Sequence, residues 1–113
     1  MDEATLLRQA IAAIEEKKGE ETVVIDLRDV SIPTGYFIIT HGDSSAQVKA
    51  IVSNLLETFP KKVEYREGLS ERRWVVLDYG EIVIHVFLRE AREFYDIESL
   101  WADRIVPNPA TAT

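Results

Sequence analysis

Residues 73–87 read RWVVLDYGEIVIHVF. Two apolar runs, Trp74–Leu77 and Ile82–Phe87, flank a short polar break, Asp78-Tyr79-Gly80-Glu81. Valine and isoleucine dominate both runs, and β-branched side chains suit a pleated strand better than a helix. The stretch therefore reads as a β-hairpin. Its runs are apolar at nearly every position, the pattern of central strands covered on both faces. Trp74, Asp78, Tyr79 and His85 are the members that packing alone does not require. They are the first candidates for function.

Two hairpin registers are open. A two-residue Tyr79-Gly80 loop sets Trp74 opposite His85, but drives Tyr79 toward a positive φ. A three-residue loop with Gly80 in a left-handed bulge sets Trp74 opposite Ile84. A slip of one residue moves every side chain to the other face, so the face of His85 hangs on this turn.

Upstream, Glu3–Lys17 carries Ala4, Leu7, Ile11 and Ile14 at helical spacing, with Gly19 as the stop. Thr22–Leu27 is a strand. Arg28–Gly35 is a loop, and Tyr36–Thr40 a second strand. His41-Gly42-Asp43-Ser44 turns the chain into a helix whose stripe is Val48, Ile51, Val52, Leu55, Leu56 and Phe59. Either Ser44, in a capping box with Gln47, or Asp43 caps it. Val63–Arg66 is a polar strand near an edge.

Downstream of the hairpin, Leu88–Trp101 reads as one or two short helices. Phe94, Ile97, Leu100 and Trp101 form their apolar side, and Asp96 is a cap candidate. Phe94 and Trp101 are read as core. Residues 105–113, with two prolines, read as a loose tail. The order α-β-β-α-β-β-β-α predicts one α/β domain over residues 1–104, a mixed sheet of about five strands covered by helices.

Net charge is −7, from 20 acidic and 13 basic residues, and the only basic clusters are the pairs Lys17-Lys18, Lys61-Lys62 and Arg72-Arg73. Grip on bare nucleic acid rests on clustered cations, so little direct contact of that kind is expected. A basic protein partner fits better. There is no cysteine, which excludes thiolate chemistry and disulfides. Neither a membrane-spanning run nor a signal-peptide pattern occurs, so the cytoplasm is the expected compartment.

Enzyme signatures are weak. The Gly42-Asp43-Ser44 junction resembles the opening of a nucleotidyltransferase site, yet the strand after it lacks the paired carboxylates that hold magnesium. Glu64 and Arg66 stand there instead. His41 and His85 lie on different strands without metal-ligand spacing, and read as structural histidines. No cofactor or metal is expected. Aromatic residues ringed by carboxylates are better explained as a docking surface. The aromatics are Trp74, Tyr79, Tyr95 and Trp101, among Asp78, Glu81, Glu90, Glu93, Asp96 and Glu98.

Several stretches together resemble the ribosomal silencing factor family, also called the Iojap-related family. They are Lys17–Glu20 with Val24–Leu27, Tyr36–Ile39, and Gly42–Ser44 with Gln47–Ile51. They continue with Gly68, Trp74–Gly80, Val83–Phe87 and Arg92–Trp101. The likeness covers residues 4–103. It implies a nucleotidyltransferase-like scaffold without catalytic carboxylates. It also implies binding to the large ribosomal subunit through large-subunit protein fourteen, which blocks small-subunit joining and represses translation under nutrient limitation. Members often form homodimers. Gly35, His41 and Ala46 depart from the family pattern, which weakens carry-over to that loop. The expected partner-binding residues are Trp74, Asp78, Tyr79, Glu81, His85, Glu93 and Tyr95. The alternative is a nucleotide-binding enzyme that uses the Gly42-Asp43-Ser44 junction.

Overall fold

A computed structural model describes residues 2–108. Helix α1 (Glu3–Glu16) starts at Asp2, whose carboxylate accepts from the Thr5 amide at 2.9 Å. It ends in a Schellman-type closure, with the Gly19 amide donating to Ile14 and the Lys18 amide to Glu15. Lys18, not Gly19, takes the left-handed conformation, at φ 63°. Gly19 is needed for space: a Cβ there would sit 2.3 Å from the Ile14 side chain.

Strands β1 (Glu20–Asp26) and β2 (Tyr36–Gly42) pair antiparallel. Helix α2 (Ser45–Thr58) follows, and Ser44 wins the capping position by accepting from the Gln47 amide at 3.1 Å. Gln47 turns its side chain outward from the box. Its Oε1 accepts from the Asp43 amide, and its Nε2 donates to the Lys18 carbonyl. One glutamine thus ties the start of α2 to the end of α1. Strands β3 (Tyr65–Glu67), β4 (Trp74–Asp78) and β5 (Ile82–Leu88) complete the meander. Helix α3 (Arg89–Tyr95), a kinked 3-10 segment (Ile97–Arg104) and β6 (Ile105–Val106) finish the described chain.

The sheet has six strands in the order β3-β4-β5-β2-β1-β6. All neighbours are antiparallel except β2 and β5, which run parallel at the centre. The sixth strand comes from the stretch read as a loose tail. Ile105 and Val106 pair with Ile25 and Val24, so the domain extends past residue 104 and β1 is not an edge. The rest of the expected tail, from residue 109 on, lies outside the described residues.

The hairpin adopts neither expected register. Trp74 faces Phe87, Val76 faces His85, and Asp78 faces Val83. The Tyr79 amide donates to the Ile82 carbonyl at 2.9 Å, leaving Gly80-Glu81 as the loop. The reason is local. Gly80 takes the first loop position at φ 90°, where only glycine is unstrained, and Tyr79 stays in extended pairing.

This register sorts the side chains. One face of the sheet carries Val24, Tyr36, Ile38, Val75, Leu77, Tyr79, Ile82, Ile84 and Val86 against α1 and α2. The other carries Ile25, Ile39 and Phe87, with Phe37 and Trp74 partly buried beside them, under Ala91 of α3 and Ile97 and Trp101 of the 3-10 segment. Both faces are covered, which is why the central strands read as unbroken apolar runs.

Candidate functional site

The second face is unusual in being aromatic. Trp74 stacks on Phe87 with ring centroids 5.0 Å apart, and it meets Tyr95 at 4.9 Å. Tyr95 meets Phe94 edge-on at 5.0 Å. His85 presses edge-on against Phe37 at 4.6 Å, and Phe37 against Trp101 at 6.4 Å. Trp74 and His85 are diagonal neighbours across β4 and β5. The indole Nε1–H donates to His85 Nδ1 at 3.1 Å. A chain of rings therefore runs from the buried sheet to the surface.

At the surface end the rings are open. Phe94 is 77% exposed, Leu100 76% and Tyr95 47%. Phe94 and Leu100 were expected on the buried side. They are displaced because α3 stops after seven residues. Asp96 then turns the backbone at φ 43°, and the 3-10 segment leaves at a new angle. Asp96 is not a side-chain cap for the backbone. Its carboxylate instead holds the Ser99 hydroxyl at 2.5 Å. Glu90 and Glu93 on α3 and Asp96 at its end are exposed as well. Trp101 does pack inward, partly buried against the second core.

Arg92 holds this corner in place, and it was not foreseen as a site residue. It is 7% exposed. Its Nε and Nη2 grip both oxygens of Glu98 at 2.7 and 3.2 Å, while Nη1 donates to the Glu20 carbonyl at 3.2 Å and to His41 Nδ1 at 2.9 Å. One guanidinium thus joins α3 to the 3-10 segment, β1 and β2. A buried arginine requires such partners. The sequence cue was faint: Arg92 stands among glutamates and looks like an ordinary surface residue.

The expected site residues divide into two groups. Trp74, His85, Glu93 and Tyr95 lie at or beneath the corner. Asp78, Tyr79 and Glu81 lie at the hairpin tip, at the far end of β4. Tyr79 does not belong to an exposed anchor set. It is 6% exposed on the opposite face of the sheet, edge-on to Phe59 at 4.7 Å. Burial pushes its phenol up to about 12, and the hydroxyl has no partner among the described residues. Asp78 is committed to the turn, accepting from the Gly80 amide at 2.8 Å. Glu81 is exposed, and its carbonyl receives the Gly35 and Tyr36 amides. His85 is 6% exposed, and desolvation lowers its pKa to about 4.

The Gly42-Asp43-Ser44 junction is occupied by the protein's own groups. A Cβ on Gly42 would meet the Gln47 side chain at 3.1 Å, and Arg89 binds the Asp43 carboxylate at 2.6 Å. Two amides of the junction are already bonded, Asp43 to Gln47 Oε1 and Gln47 to Ser44 Oγ. Glu20, His41 and Asp43 bring their ligand-type atoms within 4.8 Å of one another. The bonding runs against a metal, however. Arginine only donates, so His41 Nδ1 must be the acceptor and the neutral ring carries its proton on Nε2. A metal beside Glu20 would meet Nε2, which carries that proton, and Arg89 already spans Glu20 and Asp43. Burial, followed by the charges of Arg92 and Arg89, lowers the His41 pKa, which keeps the ring neutral.

Comparison with known proteins decides the family. The model described as ribosomal silencing factor during starvation matches residues 1–112. The chain belongs to the ribosomal silencing factor family. The ribosomal silencing factor of Bacillus subtilis is 36% identical over 106 residues, which are 91% of this chain and 90% of the relative. The chloroplastic protein Iojap of Zea mays is 31% identical over 107 residues, covering 90% of this chain and 47% of Iojap. A crystal structure of a Chromobacterium violaceum protein superposes with a TM-score of 0.84 at 32% identity, over 90% of this chain and 88% of that one. The silencing factor shares its α/β scaffold with the Chromobacterium violaceum structure, and the corner at α3 is built on that scaffold.

Proposed function

We propose that this silencing factor binds the large ribosomal subunit through large-subunit protein fourteen and represses translation by steric exclusion. Its bulk would occupy the face that the small subunit must meet, chiefly when nutrients are limited. It acts in the cytoplasm as a binding protein, with no catalytic step and no cofactor, and it also self-associates as a homodimer.

One observation carries this reading. Phe94 and Tyr95, in contact at the end of α3, present large apolar groups to solvent, with Trp74 behind Tyr95. Leu100 is exposed on the 3-10 segment that follows, and Glu90, Glu93 and Asp96 are exposed on α3 and at its end. Adjacent apolar groups left open by a well-packed domain mark an interaction site. Aromatic anchors inside a carboxylate rim suit a partner with apolar pockets and basic margins. A net charge of −7 steers such a partner inward and makes association salt-sensitive.

Co-sedimentation with purified large subunits, followed by a subunit-joining assay, tests the proposal. Phe94→Ser with Leu100→Ser should fold as the parent does, lose at least about tenfold in affinity, and no longer block joining. Wild-type affinity in that variant would remove the corner from the docking surface. Binding that survives at high salt without weakening would remove the basic partner.

A further inference from the structure

We propose that His85 is a positioning residue for docking, acting through Trp74 without touching the partner. This rests on the reading of the corner as the docking surface. His85 sits beneath it, nine-tenths buried, and among the described residues only one of its nitrogens has a partner. That partner is the Trp74 indole, whose Nε1–H it accepts at 3.1 Å. An indole N–H has no acceptor capacity, so the histidine must present the lone pair of Nδ1 and carry its proton on Nε2.

The arrangement fixes more than a bond. Stacking on Phe87 restrains the plane of the Trp74 ring but leaves both flips of the indole open. The hydrogen bond selects the flip that points Nε1 inward and down the sheet. That choice sets which edge of the indole meets Tyr95, whose ring lies 4.9 Å away and is half exposed. Phe37 in turn holds the imidazole by its edge at 4.6 Å. A buried polar atom in an otherwise aromatic layer is costly unless it specifies something. Here it specifies the orientation of an anchor.

Histidine substitutions separate this role from plain packing. Asparagine offers an acceptor close to where Nδ1 stands, whereas glutamine and phenylalanine do not. His85→Asn should keep affinity for purified large subunits within about twofold. His85→Gln and His85→Phe should each lose about fivefold to tenfold, the worth of one neutral hydrogen bond. In a Trp74→Phe background, which has no indole donor, His85→Phe should cause no further loss. The Trp74 indole proton, followed by ¹H–¹⁵N NMR of the free protein, should exchange faster with water in the Gln and Phe variants only. Thermal midpoints identify any variant that fails to fold, and the Asn–Gln pair compares two side chains of equal polarity. The proposal falls if the losses in His85→Phe and Trp74→Phe multiply, or if Asn and Gln behave alike. If Trp74→Ala itself binds like the parent, the corner reading falls first, and the positioning role with it.

Discussion

The two faces of the sheet solve the same burial problem with different chemistry. Against α1 and α2 the layer is mainly aliphatic and closed, with Ile11, Ile14, Ile38, Ile51, Leu55, Leu77 and Ile84 fully buried. Against α3 and the 3-10 segment it is aromatic, holds His85 and the Arg92 clamp, and opens at one end to Phe94, Tyr95 and Leu100. Aliphatic packing depends on volume and tolerates no gaps. Aromatic packing with specific hydrogen bonds fixes direction as well. On the proposed function, the difference separates tasks: one face supplies stability, and the other aims side chains at a partner.

That division is tested most severely by Ile84→Ala on the closed face. The side chain is fully buried among both helices, so its loss removes transfer energy and leaves a cavity. The expected cost is about 3–5 kcal/mol in denaturant-derived stability. Large-subunit affinity of the folded fraction should stay at the parental value. A specific affinity loss would show that the faces are mechanically coupled.

Arg92→Ala comes next in size. It strands Glu98, whose side chain is only 25% exposed, and frees His41 Nδ1. Removing one partner of a buried pair costs about 3–5 kcal/mol, reduced here to about 2–3 because Glu98 reaches water. Unlike Ile84→Ala, it should also weaken ribosome binding, since α3 and the 3-10 segment lose their common tie. Hydrogen exchange should localise the loosening to residues 89–104. Protection that stays parental there would show that the clamp does not hold the corner.

Proton linkage distinguishes the faces by pH. His85 titrates near 6.5 when unfolded and about 4 when folded. As pH falls below 6.5 the unfolded chain gains a proton that the folded chain does not, so stability drops until about pH 4. Between pH 7 and pH 5 this amounts to about 2 kcal/mol. His41 shifts in the same direction, from burial and the adjacent Arg92 charge. The lowered carboxyls of Asp26 and Asp43 start from 3.8, so their contribution falls away at more acid pH. Urea midpoints at the two pH values should show the loss, and His85→Phe should remove most of it. An unchanged slope in that variant would place the linkage elsewhere.

The sequence made the closed face legible and the open face only partly so. Hydrophobic period placed α1, α2 and the central strands, because burial on both sides writes itself as continuous valine and isoleucine. The turn is not legible in the sequence. Tyr79-Gly80 and Gly80-Glu81 differ by one residue, and only the backbone shows that Gly80 takes the first loop position. Ile105-Val106 is too short to stand out from a polar, proline-containing stretch. A helical stripe assumes one continuous helix and so turns Phe94 and Leu100 inward. The left-handed turn at Asp96 broke it. Arg92 was legible only as a charge, since the partners that bury it come from residues 20, 41 and 98.

The smallest expected effect gives the cleanest check on the two faces. Tyr79 carries a hydroxyl with no partner among the described residues, in the closed layer beside Phe59. Removing an unsatisfied polar atom while keeping the ring relieves its desolvation and leaves packing intact. Tyr79→Phe should therefore be neutral or stabilising by up to about 1 kcal/mol, read as a shift in the denaturation midpoint. Because the ring lies on the face away from Trp74, affinity for the large subunit should not change. A loss of affinity would mean that the hairpin tip, with Asp78 and Glu81, contributes a second contact with the partner. A loss of stability would mean that the hydroxyl finds a water the fold depends on. Either result would show that the closed face does more than pack.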